Sequence, residues 1–205
     1  MDQQETAGKG ARRLAARDLV TVGIFTALYL VFMMVGGAFF ASNPVLTFWM
    51  PASVALLTGP IYLLLIAKVP KHGPLIVVGV VEGLFLFATG MYWGWAMACV
   101  VLGIAADIIA GIGRFRSKAL NFAAFVVYSL SPMGSYLMLW ANPTGYASYL
   151  VGKGAEQAYM DTMMSTATDW MLPAMVLATV ACAIISGLLG MRLLHRQFEK
   201  AGITA

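Results

Sequence analysis

Long apolar runs, separated by short polar stretches, dominate this chain. A helix that spans the hydrocarbon of a bilayer, about 30 Å thick, needs about 20 mostly apolar residues. Six segments approach or meet that length: Leu19–Phe40, Pro51–Ile66, Pro74–Ala88, Trp93–Ile112, Leu120–Trp140 and Pro173–Leu194. Their apolar positions are continuous, whereas the strands of a membrane barrel alternate, so the pattern predicts helices. Gly59-Pro60 interrupts the second run, removes a backbone donor and predicts a kink there. The third run is the shortest. Between the fifth and sixth lies the longest connection, residues 141–169, which opens on the turn signal Asn142-Pro143-Thr144-Gly145. Within it Met160, Met163, Met164 and Ala167 fall at i, i+3, i+4 and i+7, one face of a short amphipathic helix. Such a helix covers the mouth of a bundle or rests in the membrane interface.

Composition strengthens this picture. Apolar residues make up 60% of the 205 and charged residues 11%, against roughly 45–50% and about 25% in ordinary globular chains. A water-soluble fold is excluded on that ground. The formal net charge of +4 does not point to nucleic acid once the basic residues are placed. Lys9, Arg12, Arg13 and Arg17 precede the first run, Lys68 and Lys71 follow the second, and Arg114, Arg116 and Lys118 follow the fourth. Arg192, Arg196 and Lys200 close the chain, and of the thirteen basic residues only Lys153 falls on the other side. This asymmetry puts both termini in the cytoplasm, beside anionic headgroups. The expected protein is all-α: a multi-pass bundle of six transmembrane helices in the cell membrane. Residues 17–196 form the membrane domain, between cytoplasmic tails at 1–16 and 197–205. The first run is longer than the apolar part of a secretory leader and no small-x-small site follows it, so it reads as a retained helix.

Catalysis is not expected. The sequence has no Gly-x-x-x-x-Gly-Lys-Ser/Thr loop, no His-Glu-x-x-His and no Gly-x-Ser-x-Gly, and nothing assembles a nucleophile, a base and an oxyanion site. No metal site or resident cofactor is expected. His72 and His195 read as solvated flanks among basic residues, and Cys99 and Cys182 as inert small residues within helices. Ionisable groups inside hydrocarbon are costly and need a reason. Glu82 sits in the middle of the third run with no Lys or Arg at its depth. It serves either an interhelical hydrogen bond or a substrate or proton contact. Asp107 reads as half of a helix-end ion pair, with Arg17 as a candidate partner, and Asp18 as a helix-start residue.

The outer ends of the runs carry the groups suited to an organic ligand. All five tryptophans fall there. The candidates for substrate binding are Glu82, Met91, Tyr92, Trp93, Trp95, Trp140, Asn142, Tyr146, Tyr159, Met163 and Trp170. Interfacial aromatic belts account for many aromatics without a ligand, but the bias to one side favours an aromatic-walled pocket opening outward. At the other extreme, Gly23-x-x-x-Ala27 in the first run offers a flat strip for another helix, from this chain or a second subunit.

Several of these features together resemble a known family. Six helices, cytoplasmic ends, about 200 residues and a small-residue strip in the first helix resemble the substrate-binding S component of energy-coupling factor (ECF) vitamin transporters. The start Ala16-Arg-Asp-Leu-Val-Thr-Val-Gly-Ile-Phe-Thr-Ala27, the segment Gly90-Met-Tyr-Trp93 and the later Gly103-Ile-Ala-Ala-Asp107-Ile-Ile are similar to the Trep_Strep family of S components. The resemblance implies a six-helix bundle that captures a vitamin or related micronutrient in its outer half. It also implies partners: a membrane coupling subunit, on which Gly23 and Ala27 dock, and two cytoplasmic ATPases that use the ATP. Gly23 stands where the family usually has Ala, a change that keeps the strip flat. The aromatic and methionine-rich mouth suits a large flat ligand, with haem or a cobalamin-like corrinoid as the candidate tetrapyrroles. The competing reading is an autonomous secondary transporter or channel for a small organic solute, which normally needs several deep carboxylates or broken helices.

Overall fold

A computed structural model describes residues 14–200, with side chains through residue 193; the expected tail segments 1–13 and 201–205, and the side chains of His195, Arg196 and Lys200, lie outside the described residues. Every regular element among the described residues is a helix. α1 (Ala16–Ala41) is followed by a 3-10 turn (Leu46–Trp49), α2 (Met50–Lys68), α3 (Pro74–Ala88) and α4 (Trp93–Ile112). Then come α5 (Lys118–Tyr128), α6 (Met133–Ala141), α7 (Pro143–Gly152), α8 (Gln157–Thr166) and α9 (Met171–Lys200). Among the described residues, four helices are long and apolar enough to cross a membrane, or five if α5 and α6 count as one bent span. The third apolar run is helical over 15 residues, which at 1.5 Å each reaches about 22 Å, short of the full hydrocarbon depth.

α2 is the centre of the bundle. Its most apolar window is 61% buried, against 28% for α1 and for α9 and 33% for α4, and it packs against both α1 and α9. The proline in its middle does not break it; the helix is continuous through Pro60. Pro60 has no N–H, so the Leu56 carbonyl loses its usual partner four residues on. Ser186 of α9 replaces that partner: its Oγ–H donates to the Leu56 carbonyl at 2.6 Å and its oxygen accepts the Gly59 N–H at 3.1 Å. A side chain at Gly59 would run into Ser186 and Phe125. The sequence signal is real, but a hydroxyl from a neighbouring helix mends the ladder.

α3 and α4 approach closely because small residues face each other. A Cβ on Gly83 would lie 2.8 Å from the Ala96 carbonyl oxygen, and one on Gly79 would meet the Cys99 carbonyl. Such flat strips let helix backbones draw together in lipid.

The fifth run is the main correction to the sequence reading. Leu120–Trp140 is not one helix but two, α5 and α6, bent by 42° at residues 129–132. Pro132 cannot donate to the Tyr128 carbonyl, and the chain closes there with tighter bonds: Ser131 N–H to Tyr128 O at 3.0 Å and Leu130 N–H to Val127 O at 3.2 Å.

At the end of the bundle formed by the α2–α3 and α4–α5 connections, two carboxylates fasten the chain between α2 and α3. Asp18 pairs with Lys71 at 2.5 Å. Asp107 accepts the Gly73 N–H at 3.0 Å and faces His72 Nδ1 at 2.7 Å. The partner of Asp107 is therefore His72, through a hydrogen bond, and not Arg17, because the loop brings residue 72 over the end of α4.

Glu82 is buried in α3 and accepts a hydrogen bond from the Tyr128 hydroxyl of α5. Tyr128 in turn stacks on Tyr62 with ring centroids 5.2 Å apart and meets Tyr29 edge-on at 5.9 Å. Of the two roles the sequence leaves open for Glu82, the interhelical bond is the one this geometry displays. Tyr128→Phe leaves the carboxyl without its donor, so we expect a loss of about 1–3 kcal/mol, read as a lower unfolding midpoint in detergent. Adding Glu82→Leu to Tyr128→Phe should restore part of that loss.

Candidate functional site

The opposite end of the bundle is roofed. Asn142 begins the roof by capping α7: its side-chain oxygen accepts the Gly145 N–H at 3.0 Å, and Pro143 suits the first helical position. α8 follows, with the expected amphipathic face. Met160 and Met163 are buried and Met164 is half-buried. α7 is a second helix where the sequence suggests a turn and a loop. Under this roof lies a cavity of about 430 Å³.

Five parts of the chain line it. The stretch from the end of α1 to the start of α2 gives Ala41, Ser42, Thr47 and Met50. The start of α4 gives Met91, Tyr92 and Trp95, and α6 gives Ser135 and Tyr136. α7 adds Tyr146 and Leu150; α8 and the residues before it add Ala155, Glu156, Tyr159, Met160 and Met163. The lining is aromatic and sulfur-rich, and its hydroxyls are largely engaged with one another. The Tyr136 hydroxyl donates to the Thr47 carbonyl at 2.7 Å and lies 2.9 Å from Thr47 Oγ1. Ser135 Oγ is 3.3 Å from the Tyr146 hydroxyl. Burial pushes the Tyr146 phenol up to about 12 and raises Tyr159 as well, so both are neutral at physiological pH. Tyr159 also donates to the Ala41 carbonyl at 2.8 Å, tying the roof to the end of α1. Tyr92 sits against Tyr146 and Tyr149, each at 5.1 Å.

Six of the eleven sequence candidates meet here: Met91, Tyr92, Trp95, Tyr146, Tyr159 and Met163. Five do not. Glu82 is engaged with Tyr128. Trp93 is 44% exposed, because residues two apart on a helix point about 200° apart and Trp95 takes the inward direction. Trp170 is 59% exposed at the start of α9. Trp140 packs beside Phe48 at 6.3 Å, outside the lining, and Asn142 is spent on its cap. Sequence reasoning misses Thr47, Met50, Ser135 and Tyr136 as lining residues. Tyr136 resembles core as long as the fifth run is a single straight helix; Met160 carries a signal in the i, i+3 methionine spacing.

Gly23 and Ala27 lie on an exposed face of α1, and a side chain at Gly23 would meet nothing within 4 Å. Among the described residues, no sibling helix packs on the strip. Exposed Val20, Ile24, Val31 and Val35 continue the same apolar side.

An all-helical body with long exposed apolar faces and a cavity under a short-helix roof defines a polytopic integral membrane protein. The chain belongs to the Trep_Strep family, described as hypothetical bacterial integral membrane proteins, whose family model matches residues 16–200. No curated protein and no solved structure matches it.

The roof's attachment to α1 can be tested directly. Tyr159→Phe removes the bond to Ala41 and should speed amide exchange across Gln157–Thr166 roughly two- to tenfold, with exchange in the middle of α9 unchanged.

Proposed function

We propose that this chain is the substrate-capture subunit of an ECF-type importer in the cell membrane, with both ends in the cytoplasm. It binds a vitamin or related micronutrient in the roofed cavity. It then delivers the ligand inward on docking to a membrane coupling subunit driven by two ATPases. The observation that carries this reading is the cavity, with a lining drawn from five separate parts of the chain and a volume within the range of small-molecule sites. The flat, unpartnered face of α1 around Gly23 and Ala27 supports a docking role, since a second membrane helix can approach closely there. In this reading the chain carries out no chemical step and needs no cofactor of its own. Haem or a corrinoid fits the flat aromatic and methionine lining. It fits the electrostatics less well, because carboxylate-bearing tetrapyrroles call for basic side chains and the lining has none.

Affinity purification from native membranes should recover a coupling membrane protein with two ATPases. Gly23→Leu should lower that recovery several-fold while the protein keeps its thermal stability, because the side chain has free space in this chain. Uptake that continues after deletion of the ATPases would instead favour the autonomous transporter.

A further inference from the structure

Trp95 holds an unpaired donor at the candidate site. Four buried side-chain nitrogen or oxygen atoms lack a hydrogen-bond partner among the described residues; of these only Trp95 Nε1 belongs to a residue lining the cavity. Trp95 is 5% exposed. A buried indole N–H left without an acceptor costs about 1–3 kcal/mol, and no oxygen of the surrounding side chains or backbone takes this one. Met91, Met160 and Met163 share the lining with Trp95, and such unbranched side chains change rotamer readily to admit a ligand.

The rest of the lining restricts what can supply the acceptor. No Lys, Arg or His lines the cavity, and the one carboxylate, Glu156, is exposed at its edge. The cation at this end, Lys153, lies outside the lining, over the Tyr149 ring with its Nζ 5.8 Å from the centroid. An anion beside Trp95 would therefore leave water for a place that offers it no direct cationic partner. The aromatic rings of Tyr92, Trp95, Tyr136 and Tyr146, together with the thioethers of the lining, favour a flat aromatic body.

We infer that Trp95 sets ligand specificity by donating its indole N–H to a carbonyl or ring-nitrogen acceptor on an uncharged, flat aromatic molecule. The inference rests on the capture reading above, and it separates that reading's ligand from carboxylate-bearing tetrapyrroles. Trp93, two residues earlier and turned outward, supplies the control.

The probes are xanthone, which carries a carbonyl acceptor, xanthene, which keeps the three-ring skeleton without it, and xanthone-2-carboxylate. Equilibrium dialysis against the full chain in nanodiscs, corrected with empty nanodiscs, gives the three affinities. The wild-type chain should bind xanthone about tenfold more tightly than xanthene, and more tightly than the carboxylate. Trp95→Phe should bring xanthone down to the xanthene level and leave xanthene unchanged, whereas Trp93→Phe should keep the full preference. Equal binding of xanthone and xanthene by the wild type, or a preference that survives Trp95→Phe, overturns the donor assignment. Tighter binding of the carboxylate, or no binding of any probe, overturns the ligand class. Recovery of the coupling protein in the same preparation tells the two failures apart: a chain that recovers it yet fails with the probes loses only this inference. A chain that discriminates the probes but recovers no coupling protein loses only the importer reading.

Discussion

In hydrocarbon a helix has no water to satisfy a loose backbone group, and the most buried helix of this protein has a proline near its middle. The contact between Ser186 and the Leu56 carbonyl resolves that conflict. One hydroxyl accepts from Gly59 and donates to Leu56, so α2 stays continuous and α9 is held at a fixed register along it. α1 packs on another side of α2, and α3 pairs with α4 through facing small residues. A bundle ordered about a central helix in this way can hold the ends of α1, α4 and α6 close enough for short helices to roof the space between them.

Polar chemistry in the described bundle falls into three levels. At one end, Asp18 and Asp107 secure the α2–α3 connection. In the middle, Glu82 and Tyr128 join α3 to α5 among stacked tyrosines. At the other end, neutral hydroxyls pair with one another around the cavity, and the Trp95 donor is left over. The first two levels hold helices together. The third differs because it surrounds open volume, and that difference is the physical basis for placing ligand capture there and not at Glu82.

Much of this organisation is legible in the sequence. The bounds Pro74–Ala88 and Trp93–Ile112 follow directly from the apolar runs, and the methionine face of α8 follows from its spacing. The break between α5 and α6 is equally written in Ser129-Leu130-Ser131-Pro132, but the surrounding apolar residues hide it in a hydropathy reading. At Gly59-Pro60 the local signal announces the lost backbone donor, but the group that takes the freed carbonyl is a serine distant in sequence. The site is half legible for a related reason. Interfacial position identifies aromatic residues, but helical phase decides which face inward, and the phases of Trp93, Trp140 and Trp170 depend on packing. The partners of Asp107 and Glu82 are likewise set by tertiary approach, which no local spacing encodes.

The central claim is that the roofed cavity holds a small molecule. Native mass spectrometry of the chain, released intact from its own membranes, tests it most directly, alongside an Ala155→Trp variant that fills the space beneath the roof. The account predicts a low-mass adduct on the wild-type chain and its loss from the variant. The same adduct on both chains, or a wild-type chain that never carries one, would contradict it.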